Sequence, residues 1–499
     1  MKTFLTSMSE NTLNHVPIIN SRHLQSDGRG VKVPFCVLLE SDNQSLKIHC
    51  NRIRWMLPGK RLVCSGKFAG QDVVVKFFMD SKRAARHRLR EEKGIRALQS
   101  AGIKTPSLVD KGVLKPDLLP VLVFQKIDAE MDFVERWQRL SDDGRRSKLL
   151  SQVMAVIADQ HLAGLKQDDL HMGNFVLAGR EIYIVDGGSV DSRLMGSQLS
   201  KEESLKNLGL FFAQFSPGYD RLISKVFRGY AEKRGWSPQE DLYPRLMKLV
   251  HSQRAKMKRK YLKKIYRESS SYVCRISWNR FFLYSRELQK EDTLLLLKDP
   301  DTFMAKGRLL KDTNTATLAL VKVGGLRLVV KRYNIKNAWH ALKRCLRPSR
   351  AWKSWENAHR LALLGIPTPR PIALVENRWG PLRSKAYFIT EYIEANNLNH
   401  LLRRGKIEEN NLKDFTEQLM AMLQLFADAS LSHGDFKATN FLVDAGKISI
   451  ADLDAMREHR FRWLYRRAFR KDCKRLMKNW KGLPEIEKTF QERLQKLVV

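Results

Sequence analysis

An aspartate, an asparagine five residues later and a second aspartate twelve residues after that occur twice in this chain. The first set is Asp169, Asn174 and Asp186 in QDDLHMGNFVLAGREIYIVDGG, and the second is Asp435, Asn440 and Asp452 in HGDFKATNFLVDAGKISIADLD. Each set closes a longer ordered series. The series opens with a hairpin pattern whose second strand ends on a lysine: RLVCSGKFAGQDVVVKFF carries Lys76, and TLALVKVGGLRLVVKRY carries Lys331. Ala69-Gly70 and Gly324-Gly325 supply the turns, and the β-branched residues before each lysine predict strand. A charged helical stretch follows, with Glu92 in one copy and Glu356 in the other, and each stops at a Gly-Ile-x-Thr-Pro break beginning at Gly102 or Gly365. Proline disfavours helix at itself and at the preceding residue, so the stop is readable in both copies.

Strand-like runs (LLPVLVFQKI and KAYFITEYI) and an amphipathic helix complete the series. In the second copy Phe415, Leu419, Met422, Leu423 and Phe426 recur at helical spacing, which predicts a core face. The copies differ between lysine and glutamate, 16 residues against 25, where NAWHALKRCLRPSRAW is inserted in the second. So many matched intervals in one order predict a duplicated domain, with copies at about 50–215 and 303–480. The joint falls near Glu268-Ser269-Ser270-Ser271, giving domains 1–268 and 269–499. A chain of 499 residues exceeds one ordinary core and agrees with such a division.

These residue types suit phosphoryl transfer, which asks a protein for positioning and charge rather than covalent chemistry. Lys76 and Lys331 are placed to hold nucleotide phosphates, with Glu92 and Glu356 expected to pair with and fix them. Asp169 and Asp435 are placed to orient a substrate hydroxyl and accept its proton. Asn174 with Asp186, and Asn440 with Asp452, offer the hard oxygen ligands that suit magnesium bound with nucleotide. Singly, each element is weak: a lysine after a valine run is usually a surface residue, and Asp-x4-Asn is common in turns. The specificity lies in the ordered set and its repetition.

The second half resembles the lipopolysaccharide-core heptose and Kdo kinase family, itself related to eukaryotic-type protein kinases. The resemblance rests on VVKRY, SRAWKSWENAHRLALLGIPTP, HGDFKATNFLV, IADLDAM and KDCKRLMKNW. The first half resembles the same family through VVVKFF, AGIKTP, QDDLHMGNF, IVDGG and KNLGLFF. The resemblance implies an α+β fold of two tandem protein-kinase-like bilobal domains, each with a β-rich N-lobe and a helical C-lobe. It implies ATP and Mg2+ between the lobes, with a heptose or Kdo hydroxyl of the lipopolysaccharide core as acceptor. The protein is then expected to be cytoplasmic, peripheral on the bacterial inner membrane.

Some positions depart from the kinase pattern. Neither copy has a GxGxxG loop; the phosphate-covering turns are expected near Pro58-Gly59-Lys60 and Thr313-Asn314-Thr315. Gln167 stands where the second copy has His433, Asp168 adjoins Asp169, and two glycines follow Asp186 where Leu453-Asp454 follow Asp452. Asp169 is preferred over Asp168 for its interval to Asn174. Asp454 adds a carboxylate available for a metal or structural contact.

The net charge of +37 calls for an anionic partner. Nucleic acid, phosphorylated glycolipid and an acidic membrane face all satisfy it, and no zinc-finger spacing, RNP-type motif or KH-type context points to nucleic acid. In SQRAKMKRKYLKKIYR, Met257, Tyr261 and Ile265 are expected to form a buried stripe, leaving Lys256, Lys260, Lys263, Lys264 and Arg267 exposed. The insert offers Trp339, Lys343, Arg344, Arg347, Arg350, Trp352 and Lys353 either to an anionic surface or to the sheet beside it. The six cysteines are scattered without a CxxC pair, as in a reducing compartment. Met1 to Asn11 lack a secretory pattern, and no apolar run is long enough to span a bilayer. The competing readings are a different small-molecule phosphotransferase and a scaffold in which one or both copies bind without transfer.

Overall fold

The computed structural model describes residues 16–128, 131–237, 239–288, 291–334, 347–403, 409–482 and 484–498. The chain is mixed α/β and divides into two compact units: Met1–Phe215 with Arg221–Arg254, and Ser216–Asp220 with Ala255–Val499.

In the first unit six antiparallel strands close into a barrel. They are β1 (Phe35–Ser41), β2 (Gln44–Leu57), β3 (Arg61–Phe68), β4 (Gln71–Phe78), β5 (Leu108–Leu114) and β6 (Leu119–Gln125), in the order β1-β2-β3-β4-β6-β5. Ala69 and Gly70, at φ +46° and +78°, make the two-residue turn between β3 and β4; turns of this hand match the twist of paired strands. The two-residue period of β4 then sorts its side chains. Val73, Val75 and Phe77 fill the barrel with Val37, Leu62 and Val121. Lys76 and Phe78 point the other way, where Phe78 packs on Ile95 of helix α1 (Ala84–Ser100). The helical portion includes α2 (Asp143–Leu162), α3 (Lys201–Phe212) and the part of α4 (Tyr243–Lys264) up to Arg254, the rest of α4 belonging to the second unit.

The second unit opens with an antiparallel sheet of seven strands. They are β7 (Tyr272–Ile276), β8 (Arg280–Ser285), β9 (Arg308–Thr313), β10 (Ala316–Val323), β11 (Leu326–Tyr333), β12 (Pro371–Trp379) and β13 (Leu382–Glu391), in the order β7-β8-β12-β13-β11-β10-β9. Gly324 and Gly325 repeat the left-handed turn, at φ +55° and +79°. Leu328 and Val330 of β11 enter one core cluster. Tyr333, on the opposite face, joins the larger cluster with helix α5 (Arg350–Leu364) and helix α6 (Glu409–Asp428). Phe415, Leu419, Met422, Leu423 and Phe426 of α6 are buried, as their spacing predicts. Helix α7 (Arg462–Met477) buries Tyr465, Phe469, Cys473 and Leu476.

The Gly-Ile-x-Thr-Pro breaks have the same job in both units. Gly102 and Gly365 turn the chain at φ +70° and +71°. The next isoleucine donates its N–H back to the helix, Ile103 to the Leu98 carbonyl at 2.9 Å and Ile366 to the Leu361 carbonyl at 3.0 Å, as in a glycine-terminated helix. Thr105 Oγ1 then bonds the Ile184 carbonyl at 2.7 Å, and Thr368 Oγ1 bonds the Ile450 carbonyl at 2.7 Å. Each break therefore anchors the strand that leads to Asp186 or Asp452.

The basic stretch differs from its predicted pattern. Ile265 is buried and Tyr261 half-buried, but Met257 is 42% exposed. Tyr261 is held by His359 at 2.9 Å; one turn earlier the helix lies over solvent, so the stripe ends there. Lys256, Lys260, Lys263 and Arg267 are exposed, while Lys264 is half-buried against Ser270. Of the insert, Trp339, Lys343 and Arg344 lie outside the described residues. Trp352 stacks on Tyr266 with ring centroids 4.3 Å apart. Cys36, Cys50, Cys64, Cys274 and Cys473 are free thiols, and Cys345 lies outside the described residues. No helix among the described residues is long and apolar enough to cross a membrane.

Each unit buries a neutral histidine. His161 is held between Tyr230 at 2.6 Å and Asn207 at 3.0 Å. Burial, reinforced by the nearby Arg234 charge and only partly opposed by the Asn207 bond, pushes its pKa down to about 4 from 6.5. Burial also lowers that of His359 to about 3. The unfolded chain therefore takes up these protons first as pH falls. Stability is full above the unfolded value and declines toward the folded ones, by about 1.4 kcal/mol per pH unit per histidine. Urea unfolding should show a lower midpoint at about pH 5 than at about pH 7, and His161→Gln and His359→Gln should each flatten that slope.

Candidate active sites

Chain geometry explains the two conserved intervals within the molecule. In the first unit Phe175–Ala178 and Glu181–Ile184 form a hairpin, with Phe175 opposite Ile184. Asn174 and Asp186 therefore emerge side by side at its open end, and Val185 N–H donates to the Asn174 carbonyl at 3.0 Å. In the second unit Phe441–Asp444 pairs with Lys447–Ile450, and Ala451 N–H donates to the Asn440 carbonyl at 2.8 Å. Twelve residues are the length of one such hairpin and its turn. The shorter interval is a single tight turn. Asn174 Nδ2 donates to the Asp169 carbonyl at 2.9 Å, and Asn440 Nδ2 to the Asp435 carbonyl at 2.9 Å. Asp169 thus stands to Asn174 as Asp435 stands to Asn440; Asp168 is also exposed, and its N–H bonds the Ser189 carbonyl at 2.8 Å.

The lysines join the same clusters, but not through the glutamates expected from sequence. Lys76 Nζ pairs with buried Glu91 and donates to the Val185 carbonyl at 2.9 Å. The Glu91 carboxylate also accepts the Gly187 and Gly188 N–H groups at 3.2 and 3.1 Å. Glu92 instead pairs with Arg88 at 3.1 Å, Arg96 at 2.5 Å and Lys111 at 2.9 Å. One residue along a helix turns the side chain by about 100°, so Glu92 leaves the face that Glu91 presents to β4. RLREEKGIRAL contains both glutamates, and Gly94 is the residue that tells them apart. A Cβ there would lie 1.9 Å from the Gly187 carbonyl oxygen. That face of α1 must therefore press on the Asp186 loop, and Glu91 lies three residues before it.

In the second unit Lys331 meets Asp452 at 2.5 Å and Asp454 at 3.7 Å. Glu356, the expected partner, pairs with Arg360 at 2.6 Å and accepts from Tyr266 Oη at 3.0 Å. Counted back from the terminating glycines, the place of Glu91 is taken by Ser354, which bonds Tyr333 Oη at 2.8 Å. The place of Gly94 is taken by Asn357, whose Nδ2 donates to the Leu453 and Met456 carbonyls at 2.9 and 3.0 Å. The place of Gly188 is taken by Asp454. The helix carboxylate of the first unit is therefore replaced by a loop carboxylate in the second. A Cβ on Gly188 would fall 2.7 Å from the Glu91 carboxylate, so each unit has room for one of the two arrangements.

The accompanying arginine moves as well. Arg61 lies over the Phe78 ring at 5.1 Å, 3.7 Å from Glu91 and 4.0 Å from Asp186. Arg350 lies over the Tyr333 ring at 5.0 Å and pairs with Asp454 at 2.6 Å. A similar grouping of lysine, carboxylates and guanidinium thus arises from different chain positions. Burial works against ionising Asp452, but the Lys331 ammonium outweighs it and holds the carboxyl below its usual range. Burial likewise favours neutral Lys331, and the surrounding negative groups reverse this, raising its pKa.

The loops that carry Asp435 and Asp169 are tied down differently. Buried Asp472 of α7 accepts the His433 N–H at 2.7 Å and the Gly434 N–H at 3.0 Å. His433 Nδ1 accepts the Asp435 N–H at 3.3 Å while Nε2 faces the Ala451 carbonyl at 3.1 Å. Burial lowers the pKa of this imidazole, and with Nδ1 accepting, Nε2 is the nitrogen placed to donate to Ala451. In the first unit Asn207 stands in α3 and donates to the Gln167 carbonyl at 2.7 Å. Gln167 Oε1 accepts from Asn174 at 3.3 Å, and its Nε2 is buried without a partner among the described residues. Asp435 carries two further ion pairs, Lys437 at 3.0 Å and Arg475 at 2.9 Å.

Asn174 and Asn440 spend Nδ2 on the loop carbonyl, which leaves Oδ1 as a neutral donor beside Asp186 or Asp452. That set fits a magnesium ion whose remaining ligands are water and phosphate oxygens. Among the described residues no group of three His, Cys, Asp or Glu side chains forms a self-sufficient metal site.

Residues 302–496 match the model of the lipopolysaccharide kinase (Kdo/WaaP) family. The match likens this segment to kinase-like phosphotransferases and contains Lys331, Asp435, Asn440 and Asp452. Among curated proteins, CBL-interacting protein kinase 10 of Oryza sativa subsp. japonica is 32% identical over 79 residues, 15% of this chain and 18% of that protein. CBL-interacting serine/threonine-protein kinase 20 of Arabidopsis thaliana gives the same figures, 32% over 79 residues. The chain thus spans only 18% of the length of these relatives. Among solved structures, the PknI kinase domain of Mycobacterium tuberculosis is 16% identical with a TM-score of 0.25, covering 33% of this chain and 70% of that one. A rhoptry kinase of Toxoplasma gondii is 14% identical with a TM-score of 0.26, covering 35% and 57%.

Two measurements check these pairings. Glu91→Gln should weaken Mg-ATP binding by the first unit on the order of tenfold, the cost of one charge-assisted bond, whereas Glu92→Gln should leave it unchanged in calorimetry. In the second unit Asp454→Gly should cause a comparable loss of about tenfold and Glu356→Gln none. Adding Ser354→Glu to Asp454→Gly should recover most of the affinity by rebuilding the arrangement of the first unit.

Proposed function

We propose that the protein is an ATP-dependent kinase that phosphorylates a heptose or Kdo hydroxyl of the lipopolysaccharide inner core. The observation that carries this reading is the family match over 302–496, on the segment where Lys331 pairs with Asp452, Asn440 bonds the Asp435 carbonyl, and the Asn440 carbonyl accepts the N–H of Ala451 next to Asp452. Tandem kinase-like domains, each with a β-rich and a helical lobe, are supported by the parallel hairpins, breaks and lysine clusters of the two units. The acceptor is an anionic glycolipid at the cytoplasmic face of the inner membrane, and the net charge of +37 supports such a partner.

Each residue has a defined task. Lys331 holds nucleotide phosphates, and Asp452 with Asp454 keeps its ammonium charged and fixed. Asp435, kept in place by Asp472 and His433 through the loop backbone, orients the acceptor hydroxyl and takes its proton. Asn440 and Asp452 hold magnesium, which when bound neutralises phosphate charge. Lys76, Asp169, Asn174 and Asp186 serve the same tasks in the first unit, with Glu91 as the fixing carboxylate.

A second reading applies to the first unit alone: it binds nucleotide as a scaffold while the second unit transfers. Gln167 Nε2, buried without a partner among the described residues, and the replacement of Asp472 by Asn207 favour it, since Asn207 makes one bond to this loop where Asp472 accepts two backbone N–H groups.

Transfer of labelled phosphate from ATP to purified core glycolipid tests both readings. If the first unit is a scaffold, Asp435→Asn should reduce transfer by a factor on the order of a hundred or more and Asp169→Asn should change it little. If both sites work, each single variant should keep the other site's share and only the double variant should lose transfer. Full transfer by the double variant rejects the assignment, and no transfer to any core glycolipid by the native protein rejects the substrate.

A further inference from the structure

The segment that follows Asp454 carries a feature that phosphotransfer does not use. Phe461, Trp463 and Leu464, at the start of α7, are 54%, 64% and 37% exposed. Three large apolar side chains within four positions cost hydration free energy unless something covers them. They head a cationic stripe. Tyr465, Phe469, Cys473 and Leu476 face the core. Trp463, Arg467, Arg470 and Lys474, spaced four, three and four residues apart, share the opposite face. All four are exposed, as is Lys471 beside them. Asp472 is the one acidic residue of α7, and it is buried under His433 and Gly434. The outer face of the helix is therefore basic along its length and apolar at one end.

We propose that this face of α7 docks the protein onto an anionic bilayer, with Phe461, Trp463 and Leu464 entering the headgroup layer. The proposal rests on the glycolipid-kinase reading and deepens it by naming the surface that meets the membrane. Charge complementarity decides the occupant. Aromatic and leucine anchors beside a row of Arg and Lys suit an interface that offers both apolar depth and negative charge. A soluble polyanion would use the cations and leave the three apolar side chains in water. The same helix also reaches the chemistry: Arg475, near its other end, pairs with Asp435 at 2.9 Å. Twelve residues of helix place Trp463 about 18 Å along the axis from Arg475.

Flotation of the full-length protein with vesicles of phosphatidylethanolamine and phosphatidylglycerol tests the surface. Phosphatidylcholine vesicles and heparin resin serve as controls, and circular dichroism and Mg-ATP binding check folding. The native protein should float with the anionic vesicles and much less with phosphatidylcholine. The triple variant Phe461→Ser, Trp463→Ser, Leu464→Ser should lose on the order of tenfold in vesicle partitioning while keeping its heparin binding. The variant Arg467→Glu, Arg470→Glu, Lys474→Glu should lose its preference for the anionic vesicles. Vesicle partitioning unchanged in the apolar triple variant, with the fold intact, overturns the proposal and leaves a plain polyanion-binding face. Vesicle binding of the predicted kind without phosphotransfer keeps the docking surface and rejects the kinase reading. Transfer to a delipidated acceptor without vesicle binding does the reverse.

Discussion

A lysine that must be charged but is mostly withdrawn from water needs a carboxylate within reach, and the architecture of both units answers that need. An unpaired ammonium in such a place would be strongly destabilising or would lose its proton. Lys76 has Glu91, and Lys331 has Asp452 with Asp454. The rest of each site is arranged around the pair. The strand alternation that turns Lys76 away from the barrel also turns Phe78 toward α1, and the Glu91 carboxylate that binds the lysine also accepts N–H groups from the glycines after Asp186. Strand, helix and metal-side loop therefore meet at one charged contact.

The same grouping is reached by different routes in the two units. A carboxylate on the helix requires glycine on the loop, and a carboxylate on the loop pairs with serine on the helix. Gly94 allows α1 to touch the loop backbone, whereas Asn357 bridges the corresponding gap with two hydrogen bonds. The replacements involve neighbouring residues that share one space, so each is physically sensible only with the others.

The sequence made the hairpins, the terminating breaks and the Asp-Asn-Asp sets legible because each depends on local geometry: turn hand, proline, and the fixed length of a short hairpin. The lysine partners were harder to read. Glu91 and Glu92 are adjacent, and choosing between them requires the rotation of α1 about its axis, which Gly94 sets through a tertiary contact. Glu356 looked equivalent because it lies in a charged helix after a lysine, yet the insert shifts the count from the lysine. Counting from the terminating glycine instead lands on Ser354. Met257 was assigned to a buried stripe by periodicity alone, but a stripe is buried only where another element lies against it.

A helix that donates a carboxylate also acts as a lever. In the first unit, sliding or tilting α1 by a few ångströms would separate Glu91 from Lys76 and pull on the Gly187 and Gly188 N–H groups beside Asp186. In the second unit both carboxylates ride on one loop, so the same displacement of α5 would strain Arg350 and Asn357 but leave Lys331 clasped by Asp452. Displacing the helix therefore unpairs the lysine in one half of the chain and leaves it paired in the other.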